Sequence, residues 1–544
     1  MPGLIGAAVI LIGTLTPQVD ARDHFLVLGG GYSPTGNQVS LERNVLFFRK
    51  MIAERFQEDT SVDLLFADGS SDNPDLQYMV SMDEIPKANL YMATLFGSPN
   101  NINLKYRDNS LEDVMGNSSE ESVRQWIDST GKNLTADDRL ILYVTAHGGR
   151  SSDKENPFKT KIMLWDNKSI ETVKLAELLT DIPSDVPIVM VMVQCFSGGF
   201  SHMIFDGADS SKGLAGRSIC GFFSTINTRV AAGCTPEINE ELYDEYSSHF
   251  WAAIRGKNRL DQDVSIPDYN GDGTISFDEA HAFTIIESDN IDIPVKTSDA
   301  WLRQNAPEMS ESGNDLLEAS SSYYLLLSHA TVSQLAVLDS LSMELSLSGL
   351  DRFSASVEKA KSIEDQRKEL AKKSRDLQRS IGSLRNNMRN DIRAKWPSLY
   401  NLLTPEAVAL VTTKAPQFIE AVETSPHFEE FKTKSSDRKS IEDERAALES
   451  IWVKHQRFQR VLENIALRVN VENSGNPDLI NPMNRIFAAE SGSFSLLPLP
   501  REEVDPVVPP QPSVAETVPD QDISDSTALS SSEDTDPSES ELLP

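Results

Sequence analysis

Arg139-Leu-Ile-Leu-Tyr-Val-Thr-Ala-His-Gly-Gly149 and Pro187-Ile-Val-Met-Val-Met-Val-Gln-Cys-Phe-Ser-Gly-Gly199 decide the fold. Each is a continuous apolar run that stops at a glycine-rich turn. A strand buried on both faces reads as such a run, whereas a strand wetted on one face alternates. His24-Phe-Leu-Val-Leu28, Val62-Asp-Leu-Leu-Phe66 and the stretch from Ser218 to Ser224 read as further strands. Between them, residues 41–56 (LERNVLFFRKMIAERF), 119–129 and 171–180 carry helical periodicity. Strands alternating with helices predict an α/β fold over residues 22–310, a mainly parallel sheet with helices on both faces.

In an open parallel sheet, ligands sit beyond the carboxyl ends of the strands. The two quoted runs deliver His147 and Cys195 to that end, 48 residues apart. Alone, a cysteine after a strand is ordinarily a small buried hydrophobe, and a histidine is ordinarily structural. The pairing points to thiol chemistry. A free thiol has a pKa of about 8.5, and only its thiolate is a strong nucleophile. A neighbouring imidazole activates it and later protonates the leaving amine. Gly148, beside the histidine, lets a carbonyl approach the backbone. The amides of Gly148 and Cys195 would then hold the developing oxyanion. Gly29-Gly30-Gly31 lacks both nucleotide-binding glycine patterns, which excludes a phosphate loop there.

His147-Gly148 and Cys195-Phe196-Ser197-Gly198 resemble the motifs of the caspase-like cysteine peptidases (clan CD). They are closest to the legumain family, peptidase C13, and its bacterial relatives. The spacing of His and Cys agrees with that of caspases. Gly29-Gly-Gly-Tyr-Ser-Pro-Thr-Gly-Asn37 resembles the legumain loop that ends the first strand, which makes Asn37 the residue that orients His147 by resemblance. The resemblance spans about residues 24–290 and implies the caspase-hemoglobinase-like sheet and cysteine-type endopeptidase activity. It also implies a peptide or protein substrate and restraint by a helical C-terminal region. Two departures bear on specificity. Val193 stands where legumains place a pocket glutamate, and alanines stand in Ser224–Cys234 where they place serine. Arg229, in that stretch, either reads an acidic side chain by bidentate pairing or is a surface arginine. Cys220 and Cys234 either pair or remain two buried thiols.

Asp268-Tyr-Asn-Gly-Asp-Gly-Thr-Ile-Ser-Phe-Asp-Glu279 fits the twelve-residue calcium template of an EF-hand. Asp268, Asn270 and Asp272 offer side-chain oxygens, and Gly273 makes the turn. Thr274 offers its carbonyl, Ser276 a water-mediated contact and Glu279 two carboxylate oxygens. Such hard donors suit Ca²⁺ rather than Zn²⁺. The alternative is an Asp/Asn/Gly turn that caps the following helix. With no paired hand in the sequence, the expected role of the ion is structural.

Residues 315–490 read as helical. Ile363, Leu370, Leu377 and Leu384 recur every seven residues, with Ala360, Ile381 and Met388 beside them. Ile441, Leu448, His455, Leu462 and Val469 do the same, with Ile451, Phe458 and Ile465 beside them. This predicts an antiparallel pair or bundle, either a coiled coil or ordinary amphipathic helices; Arg367 and Ser374 interrupt the first seam. Residues 497–544 form an acidic tail rich in Pro and Ser; 501–544 hold twelve acids and one base. That composition predicts disorder. Residues 1–21 read as a signal peptide with a short apolar run, Leu4 to Leu15, so the mature chain is expected to be exported, periplasmic or extracellular, with no membrane span. A net charge of −33 argues against a nucleic-acid partner. Taken together, these features predict an exported cysteine endopeptidase with a structural calcium loop. The alternative is a non-catalytic, calcium-stabilised scaffold for protein–protein interaction.

Overall fold

A computed structural model of the chain describes residues 22–58, 60–307 and 316–497. The expected signal peptide and all of the expected tail beyond Leu497 lie outside the described residues. In chain order the strands are β1 (Arg22–Gly30), β2 (Ser61–Phe66), β3 (Leu76–Met79), β4 (Leu104–Arg107), β5 (Val114–Gly116) and β6 (Asp138–Ala146). They continue with β7 (Gly148–Gly149), β8 (Lys161–Leu164), β9 (Lys168–Glu171), β10 (Ile188–Met192), β11 (Ile219–Phe223) and β12 (Val295–Lys296). Seven build one sheet, ordered β12-β11-β10-β6-β1-β2-β5, in which only the β11–β12 pairing is antiparallel. An antiparallel β3–β4 pair and a small β7-β8-β9 sheet stand outside it.

The continuous apolar runs follow from burial on both faces. Along β6, Ile141 and Tyr143 join Phe25, Phe48, Phe250 and Trp251 on one face. Leu140, Leu142 and Val144 join Trp126, Leu175 and Met190 on the other. The helices Val39–Arg55 and Tyr246–Arg255 supply the first layer. Glu120–Ser129 and Thr172–Leu179 supply the second.

Two long helices, Arg352–Lys395 and Phe428–Asn473, form an antiparallel arm. Their cross-contacts run in opposite directions along the chain: Ser356 meets His455, Ser374 meets Glu442, and Ser380 meets Lys434. Ala360, Leu370, Leu384 and Met388 are buried, as are Phe458, Leu462 and Ile465. The expected seam fails at Ile451, which is exposed. The two interrupting polar residues are partnered across the arm, Ser374 by Glu442 and Arg367 by Glu449.

The helical region is not packed apart from the sheet. Its last helix, Pro477–Glu490, places Met483 and Ile486 in the same apolar cluster as Met190 and Ile219. Phe494 then inserts among Phe25, Phe56, Phe277 and Trp251. The arm is clamped to the segment before β12 by Arg457, whose buried guanidinium donates to the carbonyls of Asp292 and Ser288 at 2.8 and 2.7 Å. It also donates to Asn290 Oδ1 at 2.9 Å. A buried charge bonded this thoroughly is costly to unpair. Arg457→Ala is expected to lower unfolding stability by roughly 3–5 kcal/mol in urea titrations. Arg457→Lys should recover less than half, because an ammonium cannot reach the diverging carbonyls.

Candidate active site

β6 and β10 are parallel neighbours with Val144 opposite Met192. His147 and Cys195 each lie three residues beyond that pair, so the register delivers both at one level of the sheet edge. The approach is close. A Cβ on Gly148 would stand 1.8 Å from the Cys195 carbonyl oxygen, so only glycine fits there. After the cysteine, Phe196 adopts a left-handed conformation (φ 61°). This is a strained choice for an aromatic residue, and the surroundings hold it. Its amide donates to the Arg229 carbonyl at 2.8 Å, and the Gly198 amide donates to the Thr225 carbonyl at 2.8 Å. The Cys-Phe-Ser-Gly turn is thereby pinned to the segment after β11.

The sulfur is half-buried and receives the Ala231 N–H at 3.3 Å. Burial pushes its pKa up. The Ala231, Cys195 and Gly148 amides oppose that shift without reversing it, while the charge of Asp292 adds to it. Burial likewise pushes the His147 imidazole down. Both effects favour a neutral thiol beside a neutral imidazole at rest. His147 Nε2 lies 2.7 Å from Gln38 Oε1 and hydrogen-bonds there rather than to Cys195. The ring of Tyr32 packs on it edge-on, centroids 5.3 Å apart.

Asn37 makes no hydrogen bond to His147. Its Oδ1 accepts from the Gly31 amide at 2.9 Å, and its Nδ2 donates to Asp75 at 3.0 Å. It staples the loop after β1, and the contact with the imidazole falls to its neighbour Gln38. Asp75, buried among Asp68 and Asp108, is pushed up to about 7. Two further groups escaped sequence reading. Asp292 backs the segment beside the sulfur, accepts the Ala232 amide at 2.8 Å and is pushed by burial up to about 8. Glu449, on the arm, pairs with Arg229 at 2.5 Å and also with Arg367. The guanidinium of Arg229 lies over the Trp452 ring, 5.1 Å from its centroid. Arg229 is therefore not a free surface arginine. Cys220 and Cys234 do not pair; all three cysteines are free thiols.

The loop Asp268–Glu279 turns through left-handed Gly271 and Gly273. Asp268 accepts the amides of Asp272 and Gly273, Asp272 accepts that of Thr274, and Glu279 accepts those of Asn270 and Ser276. Ser276 and Glu279 also form a reciprocal cap on the helix Phe277–Glu287. The donor set, oxygen throughout, fits calcium, and a carboxylate oxygen that accepts one amide keeps a further lone pair. Among the described residues, no three His, Cys, Asp or Glu side chains converge tightly enough to hold a metal ion. Where a paired hand would lie, Ser493 bridges to Ser276, and the Phe277 amide donates to the Gly492 carbonyl at 2.8 Å.

No family model matches the chain. A search of curated proteins also returned no match. Among solved structures, the chain is similar to a structural-genomics crystal structure of a protein from Geobacter sulfurreducens. The identity is 12% over 48% of this chain and 88% of that one, with a TM-score of 0.26, a likeness too slight to carry an argument. No helix among the described residues is long and apolar enough to cross a membrane.

The neutral resting pair has a kinetic signature. Alkylation of Cys195 by iodoacetamide, followed by mass spectrometry, should keep accelerating past pH 9, because the thiolate fraction still grows there. A plateau reached below pH 7 would reveal a thiolate–imidazolium pair instead.

Proposed function

We propose that the chain is an exported cysteine endopeptidase that cleaves peptide bonds through Cys195 and His147. The observation that carries this reading is the shared register of β6 and β10, which brings both residues to the same end of neighbouring strands, with Gly148 against the Cys195 backbone. The resemblance to legumain-type motifs and the leader-like residues 1–21 support it.

In the proposed step, the Cys195 thiol loses its proton to His147 as sulfur attacks the scissile carbonyl. The Gly148 and Cys195 amides receive the oxyanion, and the imidazolium returns the proton to the departing amine. Because both groups rest neutral, proton transfer accompanies attack. Gln38 must exchange its hydrogen bond as the imidazole engages the thiol. Bound calcium would be held by Asp268, Asn270, Asp272, Glu279, the Thr274 carbonyl and a water on Ser276. Its chemistry there is charge neutralisation of the loop.

Arg229 lies two residues before Ala231, whose amide meets the sulfur, and we read it as bordering the position of the substrate side chain. A guanidinium there suits an acidic side chain. Glu449 occupies it from within the chain, which gives the arm the place of an intramolecular inhibitor.

A second reading, a non-catalytic calcium-stabilised scaffold, draws on the same occupied groups: His147 on Gln38, and Arg229 on Glu449. Digestion of a peptide library separates the two. The wild type should cut, and Cys195→Ala and His147→Ala should lose at least 100-fold in rate. Identical product profiles for wild type and Cys195→Ala would remove the enzyme reading. Glu449→Gln should raise turnover on peptides with Asp or Glu before the cut.

Calcium has an independent readout. Chelation should lower the melting temperature of the wild type, and Glu279→Gln should abolish that response. An equal shift in both proteins would place the ion elsewhere.

A further inference from the structure

The chain's net charge of −33 is unevenly spread. The arm helix Arg352–Lys395 runs against it, with thirteen Lys and Arg and six Asp and Glu. A cleft of about 590 Å³ opens between this helix, its partner Phe428–Asn473 and the turn 97–100. Gln378, Ile381 and Arg385 line it from the first helix at one-face spacing. Phe431, Ser435, Arg438 and Lys439 line it from the second. It shares no residue with the surroundings of Cys195.

The cleft sets three cations, Arg385, Arg438 and Lys439, against one lining carboxylate, Glu442. Among the described residues, neither Arg385 nor Arg438 makes an ion pair or hydrogen bond, and the Nε of each is buried without an acceptor. Glu442 is bonded to Ser374 and Arg445 and also lies within electrostatic reach of Arg438, which leaves Arg385 and Lys439 in excess. The terminal nitrogens of both guanidinium groups, which no protein acceptor takes, are the donors open to oxygens the protein does not supply. Salt bridges fill neighbouring arm positions, as at Glu449, whereas Arg385 and Arg438 make none.

We propose that this cleft binds a carboxylate-rich peptide segment. The cations sit on two helices, and the lining of the first alone spans roughly 10 Å along its axis, wider than one compact anion. Ile381 and Phe431 add apolar contact that suits side chains between carboxylates, and Gln378 and Ser435 offer hydrogen bonds to a main chain. Arg rather than Lys at positions 385 and 438 matches planar carboxylates. A peptide of this chemistry is written in the chain's own residues 533–541 (EDTDPSESE), which makes it the probe of choice.

The test is fluorescence anisotropy of that labelled synthetic peptide, titrated with full-length Cys195→Ala protein, so that failure of hydrolysis and failure of binding are read separately. The peptide should bind at low salt and be released at high salt. Arg385→Ala/Arg438→Ala should weaken it at least tenfold, and the more exposed Lys439→Ala by a smaller factor, with melting temperatures kept near wild type. A peptide carrying Gln and Asn in place of every acid should not bind. The proposal is overturned if the acidic peptide fails to bind at low salt, or if the double variant binds it equally well. It is likewise overturned if inorganic phosphate displaces it at equal concentration, which would define a site for a compact anion.

Discussion

The structure turns on the clearance between the turn after β6 and the carbonyl of Cys195. One hydrogen atom at Gly148 is all the room allows. That fit fixes the distance between the two strand ends, and with it the separation of imidazole and sulfur. It also explains why the turn after the cysteine is tied so firmly from behind. The strained backbone of Phe196 is held by the Arg229 carbonyl, and the Gly198 amide by Thr225. Relaxing either bond would swing the sulfur away from the amides that face it.

The arm is joined to this region at two levels that differ in kind. Arg457 is buried among carbonyls and acts as a permanent fastening. Glu449 meets Arg229 at a half-buried position, where an ion pair is worth less and a competing carboxylate can enter. A strong clamp beside a weak contact lets one part of the interface open while the other holds. In the proposed enzyme, an acidic substrate and the arm compete for a single guanidinium.

The strands and their helices were legible because burial on both faces writes itself as unbroken apolar runs. The arm was legible because seven-residue recurrence survives two polar interruptions. Long-range pairings between polar groups were not. Asn37 and Gln38 are chemically equivalent on paper, and which one reaches His147 depends on the Asp75 backbone 38 residues away. Asp292 looks like one more acid in a polar loop, and only its burial marks it. Glu449 sits in a helix crowded with charges, where no local pattern distinguishes it from Glu444. Composition placed a boundary near residue 310 that packing does not respect, because the last helix and Phe494 complete the sheet's own core.

That completion has a consequence for how the molecule is made. Phe25 lies in the first strand and Phe494 near the end of the described chain, yet their rings stand 5.8 Å apart. Leu497 donates its amide to the Arg55 carbonyl at 2.7 Å. Contacts of such sequence separation form slowly, since the whole intervening chain must first be brought together. A nascent chain emerging from the ribosome cannot close this core until nearly all of it has been synthesised. Until then the ring positions around Phe25 and Phe56 lack the side chain that fills them.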